Sequence, residues 1–125
     1  ASHEYVYLFS VPHLTEDIYN SCRDYALEHG MAKVEPGPTH MYSYITTMFL
    51  CDSCDKAAKK ALRKCRIYKS FKMAFWGWMD FHSGLAVLEE GKAFSNASGK
   101  SAAQLLNKTL FCKAKKQLLG KEKTL

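Results

Sequence analysis

Residues 41–50, with the sequence MYSYITTMFL, carry the strongest strand signal in the chain. Aromatic and β-branched side chains dominate this segment, and the breaker Pro36-Gly37-Pro38 precedes it. Residues 5–11, YVYLFSV, have the same character and are followed by a proline. Near-continuous apolar runs of this length are typical of strands that are buried on both faces. The two segments therefore predict parallel strands joined by a right-handed crossover.

Three further segments space their apolar residues as an amphipathic helix does, and they are Thr15 to His29, Asp52 to Arg66 and Ser101 to Leu119. Thr15 suits the N-cap of the first segment, and Gly30 follows its end. The first two helices would connect consecutive strands, as in βαβ units.

Large apolar residues alternate between Phe71 and Phe81, which indicates a third strand. His82-Ser83-Gly84 is typical of a turn, and Leu85 to Leu88 would return as a fourth strand. The sequence thus predicts one domain over residues 1–125, an α+β sandwich with the element order β-α-β-α-β-β-α. The alternative is an all-α helical bundle in which residues 41–90 form one or two long helices.

The chain has 125 residues and a net charge of +6 at pH 7. Hydrophobic residues make up 47% of it and charged residues 24%, which is typical of a globular domain and excludes a disordered or collagen-like chain. Residues 1–55 contain two basic and eight acidic side chains, whereas residues 56–125 contain sixteen basic and four acidic ones. This asymmetry indicates an anionic partner.

The second half begins with a dense run of cations on a predicted helix. Like charges this close repel one another, and an anionic partner would relieve the repulsion. We expect an acidic protein, a sulfated glycan or an anionic membrane surface, with nucleic acid less favoured. The expected binding residues are Lys56, Lys59, Lys60, Arg63, Lys64, Arg66, Lys69 and Lys72.

Trp76 and Trp78 follow this basic run and are expected to contact the partner. Aromatic rings beside a basic face can stack on bases or lie at the headgroup level of a membrane. The alternative interpretation is a solvated basic face with aromatic side chains that are part of the core.

The chain contains five cysteines, an odd number, and they are Cys22, Cys51, Cys54, Cys65 and Cys112. Two disulfides among them would leave one thiol, either free or bridging a homodimer. Asn96 and Asn107 begin glycosylation sequons, which have meaning only in a secreted chain. These features predict a secreted or extracellular protein, and the alternative is a cytoplasmic protein with free thiols.

Cys51-Asp52-Ser53-Cys54 lies between a predicted strand and a predicted helix. A helix N-terminus lowers the pKa of a thiol and favours the thiolate. The motif resembles the redox motif of the thioredoxin-like family, and the predicted element order resembles that fold in outline. The resemblance implies a thiol–disulfide oxidoreductase in which Cys51 is the nucleophile and Cys54 is the resolving thiol.

A second resemblance belongs to the all-helical alternative. Lys59-Lys60-Ala61-Leu62 and Arg66-Ile67-Tyr68 resemble a helix of gastropod sperm lysin-type proteins. The resemblance implies a helical secreted signalling or gamete-interaction protein.

No metal site is expected, because the cysteines provide one close pair where a structural zinc site usually has two. No cofactor is expected either. The sequence therefore favours a secreted, basic, non-enzymatic binding protein over the redox module and the helical signalling protein.

Overall fold

The computed structural model describes residues 2–38, 42–73 and 75–112. In these residues the chain forms one five-stranded mixed sheet with helices on both faces. The elements in chain order are β1 (Ser2–Leu14), α1 (Glu16–Met31), β2 (Tyr42–Cys54), α2 (Lys56–Lys64), β3 (Tyr68–Ser70), β4 (Trp78–Val87), β5 (Lys92–Ser95) and α3 (Lys100–Leu106). A π-helical segment, Asn107–Cys112, continues from α3.

The three long strands are parallel and lie in the order β1-β2-β4. The short strands β3 and β5 both pair antiparallel with the outer edge of β4, β3 near its beginning and β5 near its end. One register row crosses four strands and contains Glu4, Tyr44, Asp80 and Tyr68. These four residues consequently lie on the same face of the sheet.

Helices α1 and α2 cover one face, where they bury a core that includes Leu14, Tyr19, Phe49, Leu62 and Leu85. Thr15 is the N-cap of α1, and its Oγ1 accepts the Ile18 N–H at 3.2 Å. Near its end α1 approaches the sheet closely at Gly30. A Cβ on Gly30 would lie 2.9 Å from the Ile45 side chain, so a larger residue would force that side chain to move.

Helix α3 covers the opposite face but only part of it. Its Ala102 and Leu106 lie on Gly84 of β4, where a Cβ would come within 3.1 Å of both side chains. The beginnings of β2 and β4 on this face lie beyond α3 and present a cluster of rings instead, formed by Tyr42, Tyr44, Trp78 and His82.

The α+β class and the parallel pairing of the first two strands are confirmed, and the all-α bundle is wrong. The predicted turn at His82-Ser83-Gly84 is also wrong, because these residues lie inside β4. The glycine at position 84 allows α3 to pack closely on β4. The true turn lies at residues 88–91, where Gly91 has a φ of 63°, and the returning strand is β5.

Other boundaries also differ from the expected ones. Strand β1 runs through Pro12 to Leu14, and α1 includes Gly30 and ends at Met31. The predicted strand from Phe71 has a loop at its beginning, in which Lys72 and Met73 have positive φ, and β4 starts only at Trp78. Strand β2 runs through Cys54, which shortens the helix expected from Asp52. Of the helix expected to reach Leu119, the part after residue 112 lies outside the described residues. In the described part of the chain, no helix has the length and apolar character needed to cross a membrane.

Candidate functional site

The basic face of α2 is the first sequence-predicted site that the fold positions. Ala58 and Leu62 pack into the core and turn the cationic side chains of the helix outward. Lys59 forms an ion pair with Glu90, with Nζ 2.7 Å from Oε1 and 2.9 Å from Oε2. Within the described ranges, Glu90 is the only carboxylate that pairs with a cation of α2. Lys56, Lys60, Arg63 and Lys64 therefore add their charges at one surface.

A cleft opens beside this helix, between α2, β5 and the beginning of α3. Its volume is about 390 Å³, and Arg63, Lys92 and Lys100 line it together with Phe94. None of the described residues that line it is acidic. We call this site, defined by Arg63, Lys92, Lys100 and Phe94, the basic cleft.

Three cationic side chains lie near the ring of Phe94, which lines the basic cleft. Lys59 Nζ lies 4.2 Å from the ring centroid, Lys92 Nζ 5.5 Å and Arg63 Cζ 5.7 Å. Cations at these distances are attracted by the ring quadrupole. The ring thus holds three cationic groups from α2 and β5 near one another and lowers the cost of their mutual repulsion.

The remaining predicted cations do not extend this surface. Arg66 lines a different cavity, of about 350 Å³, together with Tyr68 and Asp80. Lys69 Nζ lies 5.8 Å from the Phe71 ring, and Lys72 Nζ lies 4.0 Å from the Trp76 ring. The basic run that is continuous in sequence is therefore divided in space.

The two tryptophans also depart from the expected arrangement. Trp78 lies on the face of the sheet opposite α2, where its ring stacks on Tyr42 with centroids 5.1 Å apart. Trp76 lies beside Lys72 in the loop before β4. Trp78 therefore lies away from the basic face of α2, because alternate strand residues point to opposite faces. Contact of Trp76 and Trp78 with an anionic partner stays a prediction.

Cys22, Cys51, Cys54 and Cys65 are free thiols, so the disulfides expected among these four are not formed. The side chain of Cys112 lies outside the described residues, and a homodimer through an unpaired cysteine stays a prediction.

The Cys51-x-x-Cys54 motif lacks the environment that activates a thiol. Burial raises the pKa of Cys51 to about 11, and burial also raises the pKa of Cys54. Both residues belong to β2, before the first turn of α2. A redox nucleophile needs a lowered pKa, so the geometry does not favour the thioredoxin-like interpretation.

The two sequon asparagines have structural hydrogen bonds. Asn96 is fully buried, its Oδ1 accepts the Ser83 N–H at 3.0 Å, and its Nδ2 donates to the carbonyls of Cys65 and Phe81. A glycan does not fit on Asn96 in this fold, so that prediction is wrong. Asn107 is half-buried and its Oδ1 accepts the Ala93 N–H at 2.9 Å.

A contact that the sequence did not reveal lies where β1 and β2 end. His13 Nδ1 is 2.6 Å from Ser53 Oγ, and His13 Nε2 is 2.8 Å from Asp55 Oδ1. The connectivity is that of a Ser-His-Asp triad, but His13 and Asp55 are about half exposed. His13 and Ser53 are register partners, so only the strand pairing brings them together. We interpret this group as a surface link between β1 and α2.

Comparison with known proteins gives one match. A family model described as Domain of unknown function (DUF8052) matches residues 1–108. No curated protein matches the chain, and no solved structure matches it.

Proposed function

We propose that this chain, which belongs to the family described as Domain of unknown function (DUF8052), is a non-enzymatic binding domain for a polyanion with sulfate or phosphate groups. The observation that carries the proposal is the convergence of Arg63, Lys92 and Lys100 on one cleft whose lining, in the part of the chain that the structure describes, contains no acidic residue. A sulfated glycan fits this description better than an acidic protein or an anionic membrane surface does.

The shape of the cleft favours a compact anionic group. Arginine binds planar oxyanions through two parallel N–H donors, and lysine adds point charges with flexible reach. A concave site of about 390 Å³ can accept one sulfate or phosphate group, while the exposed cations of α2 accept the groups that follow along the chain. A flat membrane surface would reach the cations of α2 but not the interior of the cleft.

The test is a titration of the full chain with a sulfated hexasaccharide at low and high salt. The triple variant Arg63→Gln, Lys92→Gln, Lys100→Gln is expected to bind about tenfold more weakly or worse, since each exposed charge pair contributes roughly 0.2–1 kcal/mol. Higher salt should weaken binding by the native chain, because exposed charges are screened.

The matched control removes three positive charges elsewhere, through Lys33→Gln, Lys69→Gln and Lys72→Gln. This control should lose much less affinity than the cleft variant. Equal losses in the two variants would show that only net charge matters and would overturn the cleft as the site. Binding that does not respond to salt would overturn the electrostatic basis of the proposal.

An extracellular location stays a prediction. The free thiols and the buried Asn96 do not add support to it, since both also suit a reducing compartment. The thiol–disulfide oxidoreductase is not proposed, because the environment of Cys51 raises its pKa.

A further inference from the structure

A second cavity lies on the face of the sheet opposite α2, between the strands and α3. Its volume is about 390 Å³. Glu4, Val6, Thr46, Met48 and His82 form its floor on β1, β2 and β4, and Leu105 of α3 forms part of its wall. We call this site, defined by those six residues, the sheet cavity.

The polar groups of the sheet cavity are held in place. Thr46 is 1% exposed, and its hydroxyl donates to Glu4 Oε2 at 2.8 Å. His82 is 8% exposed, its ring stacks on Tyr44 with centroids 4.6 Å apart, and its Nε2 lies 3.4 Å from Asp80 Oδ2. A buried hydroxyl thus orients a carboxylate at the edge of the cavity, and the imidazole beside it is fixed from two sides.

The apolar part of the sheet cavity is incompletely covered. Val6 of β1 is 53% exposed and Leu105 of α3 is 52% exposed, although both line the cavity. Leu8, the next residue on this face of β1, is 70% exposed. Exposed apolar groups that adjoin one another mark binding sites, because a ligand that covers them removes their surface from water.

The charge of the sheet cavity selects the ligand. Among the described residues that line it, Glu4 is the only one with a fixed charge, so the cavity complements a cation. The basic cleft, by contrast, complements an anion. A site with apolar walls and few oriented polar groups is the usual form of a small-molecule site.

We propose that the sheet cavity binds an aliphatic primary amine. The ammonium group donates to the Glu4 carboxylate, which Thr46 orients, and the alkyl chain lies against Val6, Met48 and Leu105. An ammonium–carboxylate hydrogen bond is stronger than a neutral one, and covering the apolar rim adds the hydrophobic contribution. The sheet cavity and the basic cleft both adjoin α3 but share none of their described lining residues.

The experiment is a calorimetric titration of the full chain with hexylamine, hexanol and hexanoate at pH 7. These three probes share an alkyl chain and differ in the charge of the head group. Hexylamine should bind most tightly and hexanoate most weakly. Equal binding of hexylamine and hexanol, tighter binding of hexanoate, or no saturable binding of hexylamine would each overturn the proposal.

Two variants test whether hexylamine binds in the sheet cavity. Glu4→Gln keeps the size of the side chain and is expected to lower hexylamine affinity about tenfold while leaving hexanol affinity nearly unchanged. Leu105→Ser should weaken both probes severalfold, since it removes apolar wall. Leu88→Ser is the matched control, because Leu88 is similarly exposed at 47% but lies in the turn after β4. Unchanged hexylamine binding by Glu4→Gln would overturn the proposal, and so would an effect of Leu88→Ser equal to that of Leu105→Ser.

Discussion

The Lys59 ammonium lies 2.7 Å from the Glu90 carboxylate, and this ion pair joins α2 to the turn that follows β4. Glu90 is the one acidic group that offsets the charge of α2 in the described part of the chain, and Lys59 lies against the Phe94 ring of the basic cleft. The pair therefore restrains the positive potential of the surface that we propose as an anion site.

Removal of the Glu90 charge should strengthen anion binding. Glu90→Gln is expected to raise affinity for a sulfated hexasaccharide severalfold, because Lys59 becomes available to it, and to lower stability by no more than about 1 kcal/mol. Glu89→Gln removes the same charge from the neighbouring exposed residue and is the control. Calorimetry and urea unfolding measure both effects. Equal gains for the two variants would mean that net charge, not release of Lys59, sets the affinity.

A side chain at position 84 should disturb the packing of α3 on the sheet. A Cβ there lies 3.1 Å from both the Ala102 Cβ and the Leu106 Cδ1. Gly84→Val is expected to lower the free energy of unfolding by about 1–3 kcal/mol, as overpacking does. Gly37→Ala is the control, since a Cβ on Gly37 meets nothing within 4 Å. Native stability in Gly84→Val would contradict the close contact of α3 with β4.

Asn96 should matter for stability and not for glycosylation. Its buried amide joins β4, β5 and the segment after α2 through three backbone groups. Asn96→Ala takes the side-chain partner from the Ser83 N–H and the Cys65 carbonyl, while the Phe81 carbonyl keeps its bond from the Ser98 hydroxyl. We expect a loss of about 2–3 kcal/mol. Asn107→Ala should cost about 1 kcal/mol, because the described contacts give it one such bond. Thermal unfolding compares the two, and an Asn96→Ala loss no larger than that of Asn107→Ala would contradict the network.

The sheet could be predicted where aromatic and β-branched residues dominate, as in the segments around Tyr5 and Ile45. Burial on both faces holds for β2 but not for β1, which exposes Val6 and Leu8 on one face. The position of the turn could not be predicted. Sequence alone does not distinguish a glycine on which a helix packs from a glycine in a turn. Gly84 belongs to the first kind and Gly91 to the second. The contact of Gly84 with α3 joins residues that are distant in sequence, so the local spacing of apolar residues does not predict it.

Part of the candidate site could also be predicted from local spacing, and part of it depends on long-range contacts. The stripe formed by Ala58 and Leu62 fixes which side of α2 faces the core, so the outward cations of α2 follow from local spacing. Lys92 and Lys100 join Arg63 only because β5 pairs with β4 next to α2. The strand register decides that arrangement, as it also decides the contact between His13 and Ser53.

The Cys51 thiol should resist alkylation in the native state. Burial raises its pKa from 9.0 to about 11, so the folded protein disfavours the thiolate. The unfolded chain ionises first as the pH rises, and the contribution of Cys51 to stability is therefore complete below about pH 9 and declines toward pH 11. Iodoacetamide labelling at pH 8, mapped by mass spectrometry, should modify half-exposed Cys22 faster than Cys51. Faster labelling of Cys51 would restore the redox interpretation.

The most direct test of the anion site is an amide chemical-shift titration of the full chain with the sulfated hexasaccharide, beside an unsulfated hexasaccharide of the same backbone. We expect saturable shifts confined to residues 59–64 and 92–100 with the sulfated ligand, and none with the unsulfated one. Shifts centred on residues 66–78, or shifts of equal size with both ligands, would contradict the account.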